Sequence, residues 1–515
     1  MLNFVVLGLY VIALIGIAIY TREKINSSDD FLLAGKKGMN GWMSAFSYGT
    51  TYFSAVIFIG YAGKFGWNFG LSAVWIGIGN AVIGALIAWI VLARRTKNMT
   101  TRLNAKTMPD FFEKRYDSPL LKKMSAVIIF VLLVPYAASV YNGLGSLFAI
   151  MFGFENTTVV IIALAALTAL YLIFGGYFAT SISDFFQGII MLAGVAVMIV
   201  CFFRSPKVDG FTAFKTLSEQ GKGFFAPYGN VGFLSSPAIN VIALVLLTSL
   251  GVYGLPQTVH KYYALRDGKA VKQGMIVSTV FAFIVGVAAY LIGSFGHLFF
   301  SSLSEVGNSA DNIVPYMLSE VIPQGFQGLI AVLVLSASMS TLASVSLAAS
   351  SVLSVDFYKG SIKRDASDGM VTLVMRLFCG VFVAISVAVA LLNNAYNITA
   401  IAYLMGLSWG TLSGCFFGPF VLGMYNKKIT KAAAVSSVVG GLALTVALIL
   451  VFGSVQAGAG AGFGEILKAG VACSPLIGVI CMIVSCVIVV VVSSFTKPLD
   501  KKTVDAAFAA RETDI

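Results

Sequence analysis

The sequence predicts an all-α membrane protein that crosses the bilayer many times. Of its 515 residues, 58% are apolar and 11% are charged, whereas soluble domains carry about 25% charged residues. The mean hydropathy is +0.91, and apolar runs long enough to span a bilayer recur along the whole chain. The longest polar stretches, 94–123 and 204–236, are too short and irregular to form a large soluble domain.

Thirteen segments have the length and apolar character of a transmembrane helix. In chain order they cover residues 2–20, 42–65, 68–93, 124–150, 157–175, 182–203, 237–259, 275–300, 326–353, 371–393, 397–424, 431–453 and 473–494. The first segment lacks the basic flank and the small-residue cleavage site of a signal peptide, so we expect it to be retained. An odd number of spans places the two termini on opposite sides of the membrane.

Lysine and arginine residues predict the orientation. Most of them fall in alternate connecting segments, namely 21–41, 94–123, 260–274, 354–370, 425–430 and 495–515. Because cytoplasmic loops retain an excess of Lys and Arg, we expect the C-terminus inside the cell and the N-terminus outside, in the plasma or inner membrane. The net charge of +12 is explained by these loops and does not indicate a nucleic-acid partner.

The predicted helices form two groups of five. Residues 42–203 and 237–424 each contain five spans, so the groups enter the membrane from opposite sides, as in an inverted repeat. The other divisions are an extra N-terminal helix with its cytoplasmic loop (1–41), an extracellular loop (204–236), two C-terminal helices (425–494) and a cytoplasmic tail (495–515) without a predicted fold.

The first helix of each group is interrupted. A polar run from Ser44 to Ser54 breaks one, and the run from Gly251 to Pro256 breaks the other. Unwound segments at corresponding positions of two repeats expose backbone carbonyls that bind ions near the bilayer centre. The alternative is that these residues only kink two ordinary helices.

Asp184 is the one acidic residue that the sequence places inside a span, and a carboxylate at that depth usually pairs with a cation or lines a polar path. Small hydroxyl residues recur in the ninth span, at Ser336, Ser338, Ser340, Thr341 and Ser344. Helical spacing places Ala337 and the last three of these on one face. Hard cations prefer oxygen ligands, so we expect a sodium site; the alternative is that the hydroxyls bond neighbouring helices.

Four motifs resemble the sodium/solute symporter family: MPDFF at 108–112 with Arg115, GG at 175–176 with Asp184 and Gln187, ASMSTL at 337–342, and DFY at 356–358. The resemblance covers nearly the whole chain. It is closest to the bacterial sodium/proline symporters, and the pantothenate and sialic acid branches are also similar. It implies a LeuT-like core of two inverted five-helix repeats, with a sodium ion between the first and eighth core helices.

The resemblance also implies ligands by position. The sodium ligands would be the backbone carbonyls of Thr50, Phe53 and Ala337 and the hydroxyls of Ser340 and Thr341. A second sodium ion, as in the sialic acid branch, would use Asp184, Ser340 and Ser344, although Ala343 stands where that branch has serine. The alternative role for Asp184 is to shape the inner ion exit.

For the organic solute, Ser54 and Tyr136 match pocket positions of the proline branch. That branch has aromatic residues where this chain has Val56, Thr248 and Val252, and the segment 254–258 is more similar to the pantothenate branch. The sialic acid branch has an arginine at the position of Tyr136, so its carboxylate clamp is missing here.

The sequence therefore predicts a sodium-coupled symporter that imports a small organic solute, with an amino acid such as proline as the first candidate. Pantothenate, sialic acid and monocarboxylates are the alternative solutes. A channel or a transporter-like sensor is the alternative of another class, but the chain has no filter-like repeat or ring of charge. The sequence shows neither a nucleophile–base pair nor a phosphate-binding loop, so it does not suggest an enzyme. The expected partners are the solute, sodium and lipid, with no obligate protein partner.

Overall fold

The chain forms helices joined by short loops. The computed structural model describes residues 2–22, 32, 39–229, 236–396 and 398–510. Most of the predicted 21–41 loop and the last five residues of the tail lie outside these described residues. The principal helices are α1 (Leu2–Arg22), α2 (Gly41–Tyr52), α3 (Ala62–Phe69), α4 (Val74–Gly79), α5 (Arg94–Leu103), α6 (Met108–Tyr116), α7 (Pro119–Phe152), α8 (Thr157–Arg204), α9 (Thr212–Glu219), α10 (Pro237–Leu250), α11 (Pro256–Tyr263), α12 (Gly268–Ser294), α13 (Ile313–Val321), α14 (Gln324–Ser351), α15 (Asp368–Tyr396), α16 (Ile401–Phe417), α17 (Lys431–Ala457), α18 (Phe463–Ala472), α19 (Ser474–Phe495) and α20 (Lys501–Phe508).

Eleven helical runs in the described part of the chain are long and apolar enough to cross a membrane. Two features explain why this number is lower than the thirteen predicted spans. The run Val56–Leu103 is counted once, although Gly70 divides it with a backbone φ of 58° and ψ of −142°. The apolar segment Thr157–Ile173 is shorter than the other spans.

Gly176 divides the long helix α8 into two. Its φ of 54° and ψ of −166° are not helical, and this region of backbone space is open essentially to glycine alone. The division falls between the predicted spans 157–175 and 182–203, and the second half carries Asp184.

Helix α14 is the central element. In the run Gln324–Ile362, 94% of the most apolar window is buried, against 22% for the runs of α1 and of α17. A helix with small and hydroxyl residues on all sides can be packed closely by neighbours all round. The peripheral helices instead present Val, Leu and Ile side chains outward, as lipid contact requires.

Both predicted helix breaks are present, and they lie side by side. Phe53 leaves the helical conformation at the end of α2, with φ of −108° and ψ of 114°. Leu255, with φ of −89° and ψ of 121°, follows the 3₁₀ turn Gly251–Gly254. The Tyr52 hydroxyl donates to the carbonyl of Thr248 at 2.6 Å, which joins the chain just before the two breaks. The first break is narrower than predicted, because Ser44 to Tyr52 remain helical.

The described parts of the basic connecting segments meet at one end of the bundle, which we call the basic end. Lys97 Nζ donates to the carbonyl of Tyr263 at 2.9 Å, and Arg115 Nε donates to the carbonyl of Gly423 at 2.9 Å. The tail, predicted to have no fold, contains α20 there. Arg102 donates to the carbonyl of Ala507 at 3.1 Å, so the tail acquires its order by docking, which the polar sequence alone does not reveal.

Asp184 is not the only acidic residue in the apolar runs. Asp356 is fully buried and lies within the run Gln324–Ile362. The predicted span ended at residue 353, because hydropathy falls where the helix turns polar. The helix itself continues as a π-helical segment, Val352–Ile362, and so carries Asp356 into the packed interior.

Candidate cation and solute site

Oxygen atoms of α2 and α14 converge beside the first break. The Thr341 hydroxyl lies 3.3 Å from the carbonyl oxygen of Thr50, 3.2 Å from that of Thr51 and 3.1 Å from that of Ala337. The Ser340 hydroxyl lies 2.7 Å from Thr50 Oγ1. One hydroxyl proton cannot satisfy the Thr50 and Thr51 carbonyl oxygens together, and such a surplus of acceptors suits a small hard cation.

The break is what makes the Thr50 and Thr51 carbonyls available. At a helix end the last carbonyls have no intrahelical partner, and α2 ends at Tyr52. The Ser338 hydroxyl accepts a hydrogen bond from the Ala55 amide at 3.1 Å, which ties the chain after the break to α14. Three of the five expected sodium ligands, the Thr50 and Ala337 carbonyls and the Thr341 hydroxyl, therefore meet. The Ser340 hydroxyl contacts the Thr50 side chain, and Phe53 occupies the extended residue of the break itself.

Asp184 lies on the other side of the same hydroxyl groups. Its Oδ1 accepts from the Ser340 hydroxyl at 2.6 Å, and its Oδ2 accepts a hydrogen bond from Ser47. The Ser344 hydroxyl is 2.9 Å from that of Thr51. The three residues expected at a second sodium site are thus close together and already engaged by protein groups.

Lys261 is a member of this cluster that the sequence analysis missed. Its ammonium group is 3.5 Å from Asp184 Oδ2, with 2% and 0% of the two side chains exposed. It donates to Ser47 at 2.8 Å and to Ser344 at 2.9 Å. The predicted span ended at residue 259 and left Lys261 in a basic loop. The signal that could have found it is Pro256, which starts a new helix rather than ending one.

A small cavity lies beside Lys261, between α8, α11 and α14. Its volume is ≈ 10 Å³, about the space of one water molecule. Polar groups with no hydrogen-bond partner among the described residues face it, including the Gln257 amide, His260 Nε2 and the Tyr177 hydroxyl.

Aromatic side chains surround the other side of the first break. Trp409 is stacked on Tyr52, with ring centroids 6.0 Å apart, and meets Tyr136 edge-on at 5.5 Å. The Trp409 indole N–H and the Tyr136 hydroxyl have no hydrogen-bond partner among the described residues, and Ser54 lies beside that hydroxyl. Trp409 was not predicted, because a tryptophan in a glycine-rich span is typical of a packing seam.

The remaining predicted solute residues have different surroundings. Val56 and Val252 are buried next to the two breaks. The Thr248 hydroxyl is taken up within the scaffold, since it donates to Asn80 Oδ1 at 2.7 Å and lies 2.8 Å from the Leu244 carbonyl. Thr248 therefore positions α10 against Asn80, and its hydroxyl is engaged before any solute arrives.

Comparison with known proteins finds relatives of this chain along most of its length. The family model "Sodium:solute symporter family" matches residues 31–441. The chain is 29% identical to the osmoregulated proline transporter OpuE of Bacillus subtilis over 441 residues, covering 85% of this chain and 86% of the relative. It is 28% identical to a sodium/proline symporter of Staphylococcus aureus over 454 residues, covering 87% and 86%.

Solved structures show the same fold. A Na⁺-coupled sialic acid symporter in a substrate-bound outward-open state superposes with a TM-score of 0.75 at 18% identity, covering 97% of this chain and 99% of that one. The nucleobase-cation-symport-1 transporter MHP1 superposes with a TM-score of 0.52 at 14% identity, covering 92% and 96%. The fold is all-α and LeuT-like, and the relatives are transporters rather than enzymes. Because the family model matches most of its length, the chain belongs to the sodium:solute symporter family.

Proposed function

We propose that this protein is a secondary active transporter that uses the sodium gradient to import a small organic solute, with proline as the first candidate. The observation that carries the proposal is the convergence of the Thr50, Thr51 and Ala337 carbonyl oxygens on the single Thr341 hydroxyl. The sodium ligands in this proposal are the carbonyls of Thr50, Phe53 and Ala337 and the hydroxyls of Ser340 and Thr341.

Sodium bound at this position would hold the broken helix against α14. That contact orders Phe53 and Ser54, and Ser54 lies beside the Tyr136 hydroxyl. The solute then binds to a preformed pocket, and each ligand raises the affinity of the other by the same factor. A membrane potential contributes about 2.3 kcal/mol per charge per 100 mV to the inward movement of sodium.

Proline is supported by the two named relatives, one a proline transporter and the other a sodium/proline symporter. The pocket groups fit a small zwitterion, because carbonyls and hydroxyls at the break bind its polar end and aromatic faces pack on its ring. The departures at Val56 and Val252 widen the space relative to the aromatic residues of the proline branch. Pantothenate, sialic acids and monocarboxylates are therefore tested beside proline.

Alternating access in this proposal follows from two inverted repeats, 42–203 and 237–424, that move against each other around the site. The basic end faces the cytoplasm by the charge rule. The small cavity beside Lys261 then marks the inner exit of the cation path, and the segment 204–236 lies outside.

The test is uptake into proteoliposomes. Radiolabelled L-proline should accumulate when sodium is placed outside at a tenfold excess, and not when choline replaces sodium. A thermal-shift screen of the purified protein against the other solutes, with and without sodium, identifies any better ligand because binding to the folded form raises its stability. Equal uptake of every solute in sodium and in choline would contradict the proposed function.

A further inference from the structure

The ammonium group of Lys261 lies where a second coupling cation would be expected. Its nitrogen is 2.8 Å from the Ser47 hydroxyl, 2.9 Å from the Ser344 hydroxyl and 3.5 Å from Asp184 Oδ2. Three oxygens from three helices thus surround one cationic nitrogen. The side chain also passes over the Tyr177 ring, 5.2 Å from its centroid, which adds a favourable contact for a cation.

Lys261 is held in place by its own helix. Pro256 starts α11 directly after the second break, and five residues later Lys261 is 2% exposed. A charged side chain is almost never buried to this extent unless it is paired. The carboxylate of Asp184 supplies that pairing, so the two charges form one neutral unit in the interior.

The same oxygens would have to serve any second sodium ion. Ser344 already contacts both Lys261 and Thr51, and Ser340 contacts both Asp184 and Thr50. An ion bound among the Asp184, Ser340 and Ser344 oxygens would lie within roughly 5 Å of the ammonium nitrogen. At an effective dielectric constant of about 20, that repulsion lowers its affinity on the order of a hundredfold.

We propose that Lys261 acts as a tethered cation at Asp184, so that this protein binds one sodium ion per transport cycle rather than two. This inference rests on the proposed sodium-coupled function and sets its stoichiometry. Lys261 is a specificity-determining residue in this account: it decides how many cations the site accepts. The first sodium position keeps its own oxygens, since Lys261 makes no contact with Thr341 or Ala337 in the described structure.

The inference differs measurably from a purely structural ion pair. A structural pair would lower stability when broken but leave the number of bound sodium ions unchanged. A tethered cation that is removed exposes the Asp184 carboxylate, which then recruits a sodium ion. One and two coupled ions also predict different solute accumulation by wild type. At zero voltage, a tenfold sodium gradient balances a tenfold gradient of neutral solute when one ion is coupled, and a hundredfold gradient when two are coupled.

The experiment counts sodium ions on purified protein. ²²Na⁺ binding at saturation and the dependence of thermal stability on sodium concentration, with choline chloride holding the ionic strength constant, both report the number of ions bound by the folded form. Neither measurement needs a solute. The variants are Lys261→Met, which removes the charge, Lys261→Arg, which keeps it, and the double variant Lys261→Met with Asp184→Asn, which removes both charges.

The expected counts are one sodium ion for wild type, Lys261→Arg and the double variant, and two for Lys261→Met. Two ions on wild type, or one on a folded Lys261→Met protein, would overturn the inference. Should Lys261→Met fail to fold, Lys261→Gln, which also removes the charge but keeps a polar side chain, takes its place and should bind two ions. No saturable sodium binding by wild type would instead contradict the proposed function, so the two failures are distinct.

Discussion

The Thr341 hydroxyl on α14 lies 3.3 Å from the carbonyl oxygen of Thr50, close to the end of α2. The contact links a continuous helix to a broken one, and its two residues are 291 positions apart along the chain. If a cation joins the same atoms, its binding closes α2 against α14 and its release loosens them. Four predictions test this account and its surroundings.

Removing a hydroxyl from the cation site should weaken sodium activation. We expect Ser340→Ala and Thr341→Ala each to raise the half-saturating sodium concentration about tenfold or more, equivalent to ~1.4 kcal/mol, because each removes one oxygen ligand. The measurement is proline uptake into proteoliposomes over a sodium series, with protein amount checked by gel filtration. Ser346→Ala is the matched control: Ser346 is buried on the same helix, and its hydroxyl has no partner among the described residues. Wild-type sodium curves for both site variants would refute the ligand assignment.

Trp409 should contribute to solute binding and not to sodium binding. Trp409→Ala removes an aromatic face that packs on Tyr52 and Tyr136. Such an aromatic pair contributes about 0.5–1.5 kcal/mol beyond the burial of its area. We expect at least a severalfold higher KM for proline and an unchanged sodium-dependent thermal shift. The KM of Trp409→Phe, which keeps an aromatic ring, should lie between those of wild type and Trp409→Ala. A loss of the sodium response in Trp409→Phe would place Trp409 in the cation site instead.

Lys122 should be a stability determinant of the basic end. Its ammonium group lies 3.1 Å from Asp110, 2.7 Å from Glu113 and 3.6 Å from the buried Asp356. Burial would raise the pKa of Asp110, but Lys122 and Lys114 together lower it below its ordinary value, so this carboxylate remains charged at neutral pH. Lys122→Met leaves several carboxylates without their shared cation, and breaking buried pairs costs about 3–5 kcal/mol.

The measurement for Lys122→Met is the thermal midpoint in detergent, where we expect a large decrease. Lys114→Met is the control, because Lys114 also contacts Asp110, at 2.9 Å, but its side chain is 34% exposed. Exposed pairs contribute about 0–1 kcal/mol, so its midpoint should change little. Equal midpoints for the two variants would show that Lys122 does not hold the cluster together.

Gly176 should tolerate no side chain. Its φ of 54° with ψ of −166° belongs to a region that costs other residues on the order of 1–3 kcal/mol. Gly176→Ala should therefore lower the thermal midpoint and reduce transport, since the kink directs the second half of α8 and Asp184 toward α14. Gly380→Ala is the control, because a methyl group there meets no atom within 4 Å. A fully stable and active Gly176→Ala protein would show that the kink adjusts freely.

Helical periodicity was sufficient to predict that the hydroxyl residues of α14 share one face. Ser340, Thr341 and Ser344 follow the spacing of one helical face, and the structure places all three toward α2 and α8. Both helix breaks were likewise predictable, because Gly251 to Pro256 cannot continue a helix and the polar run near Thr50 is out of place in lipid. Local composition carries this information directly.

Long-range charge pairing could not be predicted in the same way. Lys261 follows a proline and a run of polar residues, so hydropathy assigns it to a loop, and its partner Asp184 is distant in sequence. Trp409 was missed for a related reason: its role depends on Tyr52 and Tyr136, which belong to other helices. The order of α20 depends on Arg102 and the basic end rather than on the tail itself.

The central claim is tested most directly by a high-resolution cryo-EM comparison of the purified protein in saturating sodium and in choline. The account predicts a density peak in sodium alone, about 2.3–2.6 Å from the Thr50 and Ala337 carbonyl oxygens and the Ser340 and Thr341 hydroxyls, the range that hard cations keep from oxygen. Identical density among these four residues in both conditions, with a sodium-dependent peak elsewhere, would contradict it.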